Sequence, residues 1–183
     1  LKKKIKELKI KTNFIKTIPL DSSLKLGPFT LDIISTTHSI PEPNAIAIKT
    51  KFGNILHTGD WKVDPNPLVG KDFNKKKLES FGNDGVLAIV SDSTNATVNG
   101  HSGSEETLRK SLVKIVSKIK NRIAITSFAS NLARLETFAY IAEKNGRVAA
   151  LCGRSLWTMY EAALDTGYLK NIRPFLDEKE IIG

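Results

Sequence analysis

Two polar side chains follow apolar runs of the sequence in positions where they could bind a metal ion. His38 comes shortly after residues 31–34, and Asp60 comes shortly after residues 54–57. If both runs are strands, their ends deliver an imidazole nitrogen and a carboxylate, a pair of donors that suits Zn²⁺. A histidine at a strand end is more often a hydrogen-bonded structural residue, and a closed zinc site needs three or four protein ligands. The residues alone leave both interpretations open.

A second group of polar residues lies between an apolar run and a predicted helix. Phe128, Ser130, Asn131 and Arg134 place an aromatic ring, small polar side chains and a guanidinium around a strand-to-helix turn. Such a turn offers backbone N–H groups to a phosphate, and the ring offers a surface on which a base can stack. The alternative is that Ser130 or Asn131 caps the helix while Phe128 lies in the core. Gly153-Arg154-Ser155 forms a similar turn, with capping again as the alternative.

The first half of the chain is predicted to be rich in strands. Short apolar runs separated by Gly, Pro and Asn predict strands at 29–34, 45–48, 54–57 and 86–90, with a short helix at 75–81. The second and third of these strands form a predicted hairpin. Lysines alternate with Ile5, Leu8, Ile10 and Phe14 at the start of the chain, which favours an edge strand protected by lysines over a basic RNA-facing strand.

After residue 100 the apolar period becomes helical. Ser104 is a predicted N-cap before a helix whose apolar face is Leu108, Leu112, Ile115, Val116 and Ile119. A strand at 122–126, a helix at 132–144, a strand at 147–152 and a helix at 155–165 follow, and Cys152 is expected to be a small buried residue. This alternation predicts a parallel sheet covered by helices, with a boundary between two regions near residue 95.

Composition narrows the class of protein. The 183 residues are 40% hydrophobic and 26% charged, which indicates a folded globular chain. One cysteine cannot form an intramolecular disulfide, and no apolar run is long enough to span a membrane, so the cytoplasm is the default compartment. The net charge of +9 favours polyanionic partners, although many basic proteins bind no nucleic acid.

A set of motifs in order along the chain resembles ribonuclease J. The resemblance rests on 37–41 (Thr-His-Ser-Ile-Pro), 57–62 (His-Thr-Gly-Asp-Trp-Lys), 91–95 (Ser-Asp-Ser-Thr-Asn), 124–131 with Arg134, and 153–156. It implies an α/β fold in which residues 1–95 are part of an αββα metallo-β-lactamase domain. Residues 96–183 would be part of an α/β β-CASP domain, the insertion that distinguishes nucleic-acid-processing members.

The resemblance also implies roles for three residues. His38 would be the lone histidine ligand of the third metallo-β-lactamase motif, and Asp60 the aspartate of the fourth motif, which bridges two zinc ions. Asp92 would be the acidic residue of the first β-CASP motif, so that Asp60 and Asp92 are the expected catalytic residues. Without the resemblance, Asp92 with Ser93 and Thr94 is better interpreted as a turn or capping cluster. His57 is expected to have a structural role.

The implied function is zinc-dependent 5′-to-3′ exonucleolytic and endonucleolytic cleavage of RNA. The expected substrate is 5′-monophosphorylated RNA, and the full-length protein is expected to hold two zinc ions and to form a homo-oligomer. Residue 1 is Leu and the family's His-x-His-x-Asp-His cluster is absent, so we expect an internal part of a longer protein that is inactive and retains no zinc by itself. Two alternatives are a non-catalytic basic α/β module that binds RNA or a nucleotide, and a small-molecule metallohydrolase.

Overall fold

The computed structural model describes residues 2–11 and 15–181 of the protein. The elements in its first half are α1 (Lys2–Glu7), β1 (Ser23–Leu26), β2 (Phe29–Ser35), β3 (Asn44–Thr50), β4 (Gly53–His57), α2 (Lys75–Asn83) and β5 (Ala88–Val90). Those in its second half are α3 (Glu105–Val116), α4 (Leu132–Lys144), β6 (Ala150–Leu151), α5 (Arg154–Asp165) and β7 (Leu176–Asp177), with a 3₁₀ turn at Glu178–Glu180. None of the described helices is long and apolar enough to cross a membrane.

The first half is a five-stranded mixed sheet. Its order is β1-β2-β3-β4-β5, with antiparallel neighbours except for the parallel pair β4 and β5. The predicted hairpin is confirmed, since Ile48 pairs with Ile55 across the turn that joins β3 to β4. Two antiparallel steps separate β2 from β4, so β2, β4 and β5 all run in one direction and end at the same edge of the sheet. Residues that follow these three strands are therefore brought together.

One face of this sheet packs against α2. Ile34, Ala45, Ala47 and Leu56 from the strands form a buried cluster with Phe81 of the helix. Asn74 caps α2, because its side chain accepts a hydrogen bond from the backbone N–H of Lys77 at 3.1 Å. The helix predicted at 75–81 and the strand predicted at 86–90 are both confirmed, the strand in shortened form.

The strand predicted at the start of the chain is wrong, because Lys2–Glu7 is an α-helix. Lysine and glutamate are good helix formers, and Lys4 and Glu7 form an i,i+3 ion pair at 3.6 Å. Ile5 is buried, whereas Leu8 and Ile10 are exposed, so the alternating apolar residues do not line one face of a strand. Phe14, which belonged to the same prediction, lies outside the described residues.

The helices predicted in the second half are confirmed, but two residues of the predicted apolar face of α3 do not fit: Ile115 is exposed and Ile119 lies beyond the end of the helix. Ser104 caps α3, since its hydroxyl accepts a hydrogen bond from the Glu106 N–H at 3.2 Å. Helix α4 has the predicted bounds, and α5 begins one residue earlier than predicted. Helices α4 and α5 enclose an apolar core, whose buried members are Leu132, Leu135, Ala139, Leu151, Tyr160, Ala163, Leu169 and Phe175.

The parallel sheet expected in the second half is largely missing. Residues 122–126 pair with no described strand, and only Ala150–Leu151 of the predicted strand at 147–152 is paired, in parallel with β7. A strand needs a hydrogen-bonded neighbour, which local sequence cannot supply. Cys152 lies beyond β6 and is exposed, so its predicted burial is wrong. The α/β class is confirmed, and the boundary near residue 95 stays a prediction.

Candidate functional site

The three residues His38, Asp60 and Asp92 follow the strands that end at one edge of the sheet. Because β4 and β5 are parallel and in register at His57 and Val90, Asp60 and Asp92 both follow these strands at the same edge of the sheet. His38 follows β2, which runs in the same direction. Its imidazole is close enough to Asp92 to contribute electrostatically to the lowered pKa of that carboxyl. The structure thus places the predicted histidine and both predicted aspartates after strands that end at one edge of the sheet, which we name the catalytic edge after the role that the resemblance implies for it.

Thr37 fixes the distance between the segments that carry His38 and Asp60. It forms an antiparallel bridge with Lys62, whose N–H donates to the Thr37 carbonyl at 2.8 Å. The Thr37 hydroxyl donates to the Lys62 carbonyl at 2.5 Å and accepts from the Asp64 N–H at 3.1 Å. Thr37 is 2% exposed, so these bonds are shielded from water. The residue before His38 is therefore held against the loop that follows Asp60.

The turn before Asp60 requires a glycine. Gly59 has a positive φ of 60°, and a Cβ at this position would lie 2.9 Å from the Asn44 carbonyl oxygen. His57 Nδ1 accepts a hydrogen bond from the Gly59 N–H at 3.1 Å. This contact gives His57 the structural role expected for it, as a residue that shapes the turn.

His38 and Asp60 both have side-chain atoms free for a ligand. The Asp60 side chain is exposed and, among the described residues, its carboxylate has no hydrogen-bond or ion-pair partner. The Ser39 hydroxyl lies 3.1 Å from Nδ1 of the half-buried His38, which leaves Nε2 as the available ring nitrogen. A neutral imidazole nitrogen and a carboxylate are donors of the type that zinc takes. Residues 2–11 and 15–181 contain no group of three or more potential ligands placed to hold a metal.

Asp92 organises its own turn. Its Oδ1 accepts hydrogen bonds from the Thr94 hydroxyl at 2.6 Å and from the Thr94 N–H at 3.0 Å. These two bonds, the hydroxyl first, lower the pKa of the Asp92 carboxyl, assisted by the Trp61 backbone N–H and by His38. The Asp92 N–H donates to the Thr58 hydroxyl at 3.1 Å, which joins this turn to the one that carries Asp60. The turn interpretation of Asp92 is thus correct locally, and it is compatible with a place on the catalytic edge.

The second predicted site, at 128–134, is a turn with an exposed aromatic ring. Phe128 is 86% exposed, so its predicted alternative place in the core is wrong. Asn131 is the N-cap of α4 and accepts from the Arg134 N–H at 2.9 Å, whereas Ser130 is exposed. The capping interpretation is correct for Asn131, and Phe128 and Ser130 face solvent beside it.

Arg134 is held by a carboxylate. Its Nε and Nη2 donate to the two oxygens of Glu105 at 3.1 and 3.2 Å, in the two-pronged geometry that fits a guanidinium to a carboxylate. The side chain is 29% exposed, and Glu105 is 7% exposed. Arg134 thus contributes positive charge near the turn while two of its nitrogens are engaged within the protein.

The remaining turn, at Gly153, caps α5 without a side-chain hydrogen bond. Gly153 has a positive φ of 108°, which favours glycine there. Arg154 and Ser155 are exposed at the helix start, as is Cys152 before it. In the structure, the backbone of this turn starts α5, and the turn forms no pocket with the other described residues.

The polar residues that join the two halves were not predicted from the sequence. Lys62, Asp64 and Glu105 lie between the catalytic edge and α4, and none of them had a signal beyond its charge and its neighbours. The sequence around Asp64 could not indicate that this residue contacts Glu105, which lies far along the chain. Asp21, which supports the end of β2 beside the site, was missed for the same reason.

Comparison with known families defines the class of the second half. Residues 120–182 match the family model described as "Ribonuclease J, beta-CASP domain". This range covers α4, α5 and the short β6–β7 sheet. The β-CASP match therefore applies to residues 120–182 and leaves out α3.

The whole chain resembles curated proteins named ribonuclease J. It is 41% identical to that of Sinorhizobium meliloti over 157 residues, which are 86% of this chain and 28% of the relative. It is 40% identical to that of Thermus thermophilus over 157 residues, 85% of this chain and 27% of the relative. With that of Helicobacter pylori it shares 30% identity over 175 residues, 95% of this chain and 25% of the relative. The chain is thus similar to ribonuclease J along most of its own length, and it spans about a quarter of the length of these relatives.

A solved structure shares the fold. A protein of unknown function from Enterococcus faecalis matches 92% of this chain, and the chain covers 42% of that protein. The TM-score is 0.61 at 18% sequence identity, so this likeness concerns the fold alone.

Proposed function

We propose that this chain is the part of a zinc-dependent ribonuclease in which the β-CASP domain meets the hydrolytic site. The observation that supports the proposal is the meeting of His38, Asp60 and Asp92 on one sheet edge in a chain whose relatives are named ribonuclease J. In this proposal residues 1–95 belong to a metallo-β-lactamase domain and the protein acts in the cytoplasm. The activity combines 5′-to-3′ exonucleolytic and endonucleolytic cleavage of RNA.

His38 would bind zinc through its Nε2 atom, and Asp60 would bind zinc through its carboxylate. When bound, zinc would supply Lewis-acid stabilisation of the phosphodiester oxygens and lower the pKa of an attacking water. Thr37 keeps the two donors at a fixed separation through its bridge to Lys62. Gly59 allows the tight turn that presents Asp60 to solvent. Asp92, whose pKa is lowered, would contribute a carboxylate near the imidazole of His38.

The turn at 128–134 would contact the RNA. Phe128 offers an exposed ring to a base, and Ser130 and Asn131 stand at the N-terminus of α4, where backbone N–H groups favour a phosphate. Arg134 adds positive charge behind the turn. The net charge of +9 favours a polyanionic strand over a small neutral substrate. We further propose that the substrate is a 5′-monophosphorylated RNA and that the full-length protein forms a homo-oligomer.

The deciding experiment compares Asp60→Ala with wild type in the protein encoded by the whole reading frame. Zinc content and cleavage of a 5′-monophosphorylated RNA are measured for both. Mutating a residue that hydrogen-bonds to a metal ligand lowers metal affinity or activity about 10- to 100-fold, so the loss of a ligand itself should lower activity more than about 100-fold. Asp165→Ala, which removes an exposed carboxylate at the end of α5, should leave both measurements unchanged.

The same experiment separates the alternative function. If the wild-type protein binds the RNA but neither holds zinc nor cleaves, the chain is a non-catalytic RNA-binding module centred on the turn at 128–134. If Asp60→Ala cleaves as well as wild type, the catalytic edge is assigned wrongly.

A further inference from the structure

Four charged side chains form a network at the junction between the two halves of the molecule. They are Lys62, Asp64, Glu105 and Arg134, which we call the junction network. Lys62 Nζ lies 3.5 Å from a carboxylate oxygen of Asp64 and 3.5 Å from one of Glu105. Glu105 in turn accepts hydrogen bonds from Nε and Nη2 of Arg134. The two acids and two bases thus form one connected chain of ion pairs.

The two carboxylates of the network are among the most buried charged groups described. The side chain of Asp64 is 2% exposed and that of Glu105 is 7% exposed. Asp64 accepts hydrogen bonds from the backbone N–H of Glu105 at 3.2 Å and of Asn66 at 3.0 Å. Buried charges are tolerated when they are paired and hydrogen-bonded, and removing one partner leaves the other uncompensated. The network therefore restrains every segment that contributes to it.

Those segments are the ones that build the two sites. Lys62 and Asp64 follow Asp60, and their backbone is bonded to Thr37, the neighbour of His38. Glu105 is the first residue of α3. Arg134 lies in the first turn of α4, directly after the turn that exposes Phe128. One set of ion pairs thus connects the catalytic edge to the surface proposed to bind RNA.

We propose that Glu105 and Arg134 are positioning residues, which set the catalytic edge relative to the RNA-contacting turn without touching the reacting atoms. This inference rests on the proposed function for its kinetic consequence. A scissile phosphate held at the turn must reach His38 and Asp60, and small misplacements between bound substrate and catalytic groups are costly in rate. The network's effect should therefore fall on kcat more than on KM.

The molecule contains a matched control pair. Arg109 of α3 donates to Glu136 of α4 at 3.0 Å and to the Thr137 hydroxyl at 3.1 Å. Both side chains are partly buried, at 14% and 24% exposure. This pair joins the same two helices as Glu105 and Arg134, but neither of its members bonds to the loop at 60–64. If both ion pairs served only to stabilise the packing of the two helices, removing either pair would change kcat to a similar extent.

The test compares Glu105→Gln and Arg134→Lys with Glu136→Gln in the protein encoded by the whole reading frame. Thermal unfolding is measured first, and kinetics are then compared at a temperature where all variants are folded. We expect Glu105→Gln and Arg134→Lys to lower kcat on a 5′-monophosphorylated RNA about 10- to 100-fold with a smaller change in KM. Glu136→Gln should lower the melting temperature while kcat stays within about twofold of wild type, since it lies outside the network.

Two kinetic results would overturn the proposal. Equal losses of kcat in Glu105→Gln and Glu136→Gln would reduce the network to general stabilisation. A rise in KM for Arg134→Lys with normal kinetics for Glu105→Gln would make Arg134 a direct RNA contact.

A second measurement does not depend on activity. Amide hydrogen exchange at residues 58–64 should be faster in Glu105→Gln than in wild type and unchanged in Glu136→Gln, because only the first loses a restraint on that loop. If the wild-type protein cleaves no RNA but this difference is found, the ribonuclease proposal fails and the positioning contact stands. If exchange at 58–64 is the same in both variants, the junction network does not position the loop.

Discussion

The sheet of the first half and the helices of the second half are held together by different interactions. The buried cluster of the sheet contains two alanines among its five members and only one aromatic residue. In the core of the second half, by contrast, Tyr160 of α5 packs edge-to-face with Phe175 at 5.1 Å and with Trp157 at 5.9 Å. Apolar volume is thus concentrated in the helical half.

The sheet half is also held by partly buried polar contacts. Asp21 accepts hydrogen bonds from the N–H and hydroxyl of Ser35 and from the Asn74 amide. The Lys77 ammonium donates to the carbonyls of Asp21 and Ile33, each at 2.8 Å. These bonds hold the end of β2, from which His38 follows. Polar contacts thus support the strand ends of the first half, whereas the helical half relies on apolar packing.

The largest expected effect is in the helical core. Leu135 is 1% exposed and belongs to the cluster between α4 and α5. Leu135→Ala should lower the free energy of unfolding by about 2–5 kcal/mol, through lost burial and the cavity left behind. Urea denaturation measures this change. Glu143→Ala on the exposed face of the same helix should stay within about 0.5 kcal/mol. If the two variants cost the same, apolar packing does not dominate this half.

The corresponding test in the sheet half is a dependence on pH. Burial acts to raise the pKa of Asp21, but hydrogen bonds from Ser35 and Asn74 and the nearby Lys71 outweigh it and lower the pKa to about 2. Because the folded pKa lies below the unfolded value of 3.8, this carboxylate stabilises the fold above pH 3.8. That contribution, about 2 kcal/mol, is lost as the pH falls from 3.8 to about 2.

Asp21→Asn tests this assignment. The variant should be less stable than wild type at pH 7, and the difference should shrink as the pH falls below 3.8, as measured by urea denaturation at each pH. Asp72→Asn, which changes an exposed carboxylate of the same half, should leave the pH profile as it is. An unchanged difference between Asp21→Asn and wild type from pH 7 to pH 2 would contradict the role of the charge.

The contrast between the halves also explains which features the sequence could predict. Helix α4 has its predicted bounds because its signals are local: the Asn131 cap, the helical period and Asn145-Gly146 at its end. The strand predicted at 122–126 has the right composition but no described partner. The polar runs after β2, β4 and β5 predicted the catalytic edge, since strand ends are local too. The junction network was unpredictable, because Asp64 and Glu105 meet only through the fold.

A smaller effect on stability is expected at Asn131, where the variants distinguish a capping role from contact with RNA. Asn131→Ala should cost about 1 kcal/mol of stability through the lost cap of α4, whereas Asn131→Asp should keep it. The new negative charge at the proposed phosphate position should weaken RNA binding by Asn131→Asp. Melting temperature and RNA affinity at fixed salt distinguish the two roles. Normal RNA affinity in Asn131→Asp would leave Asn131 with capping alone.

The smallest effect on folding is expected at the edge of the sheet, where apolar side chains remain exposed. Ile89 of β5 is 61% exposed, beside Leu87 and Val90 at 70% and 55%. Ile89→Lys should change the stability of the 183-residue chain by no more than about 0.5 kcal/mol. An apolar edge strand promotes association, and a lysine opposes it, so the variant should also associate less at high concentration. Sedimentation measures this, with Lys76→Ala on the exposed face of α2 as the control. A cost of about 2 kcal/mol instead would mean that Ile89 is covered in solution, and the sheet half would then rely on apolar packing as the helical half does.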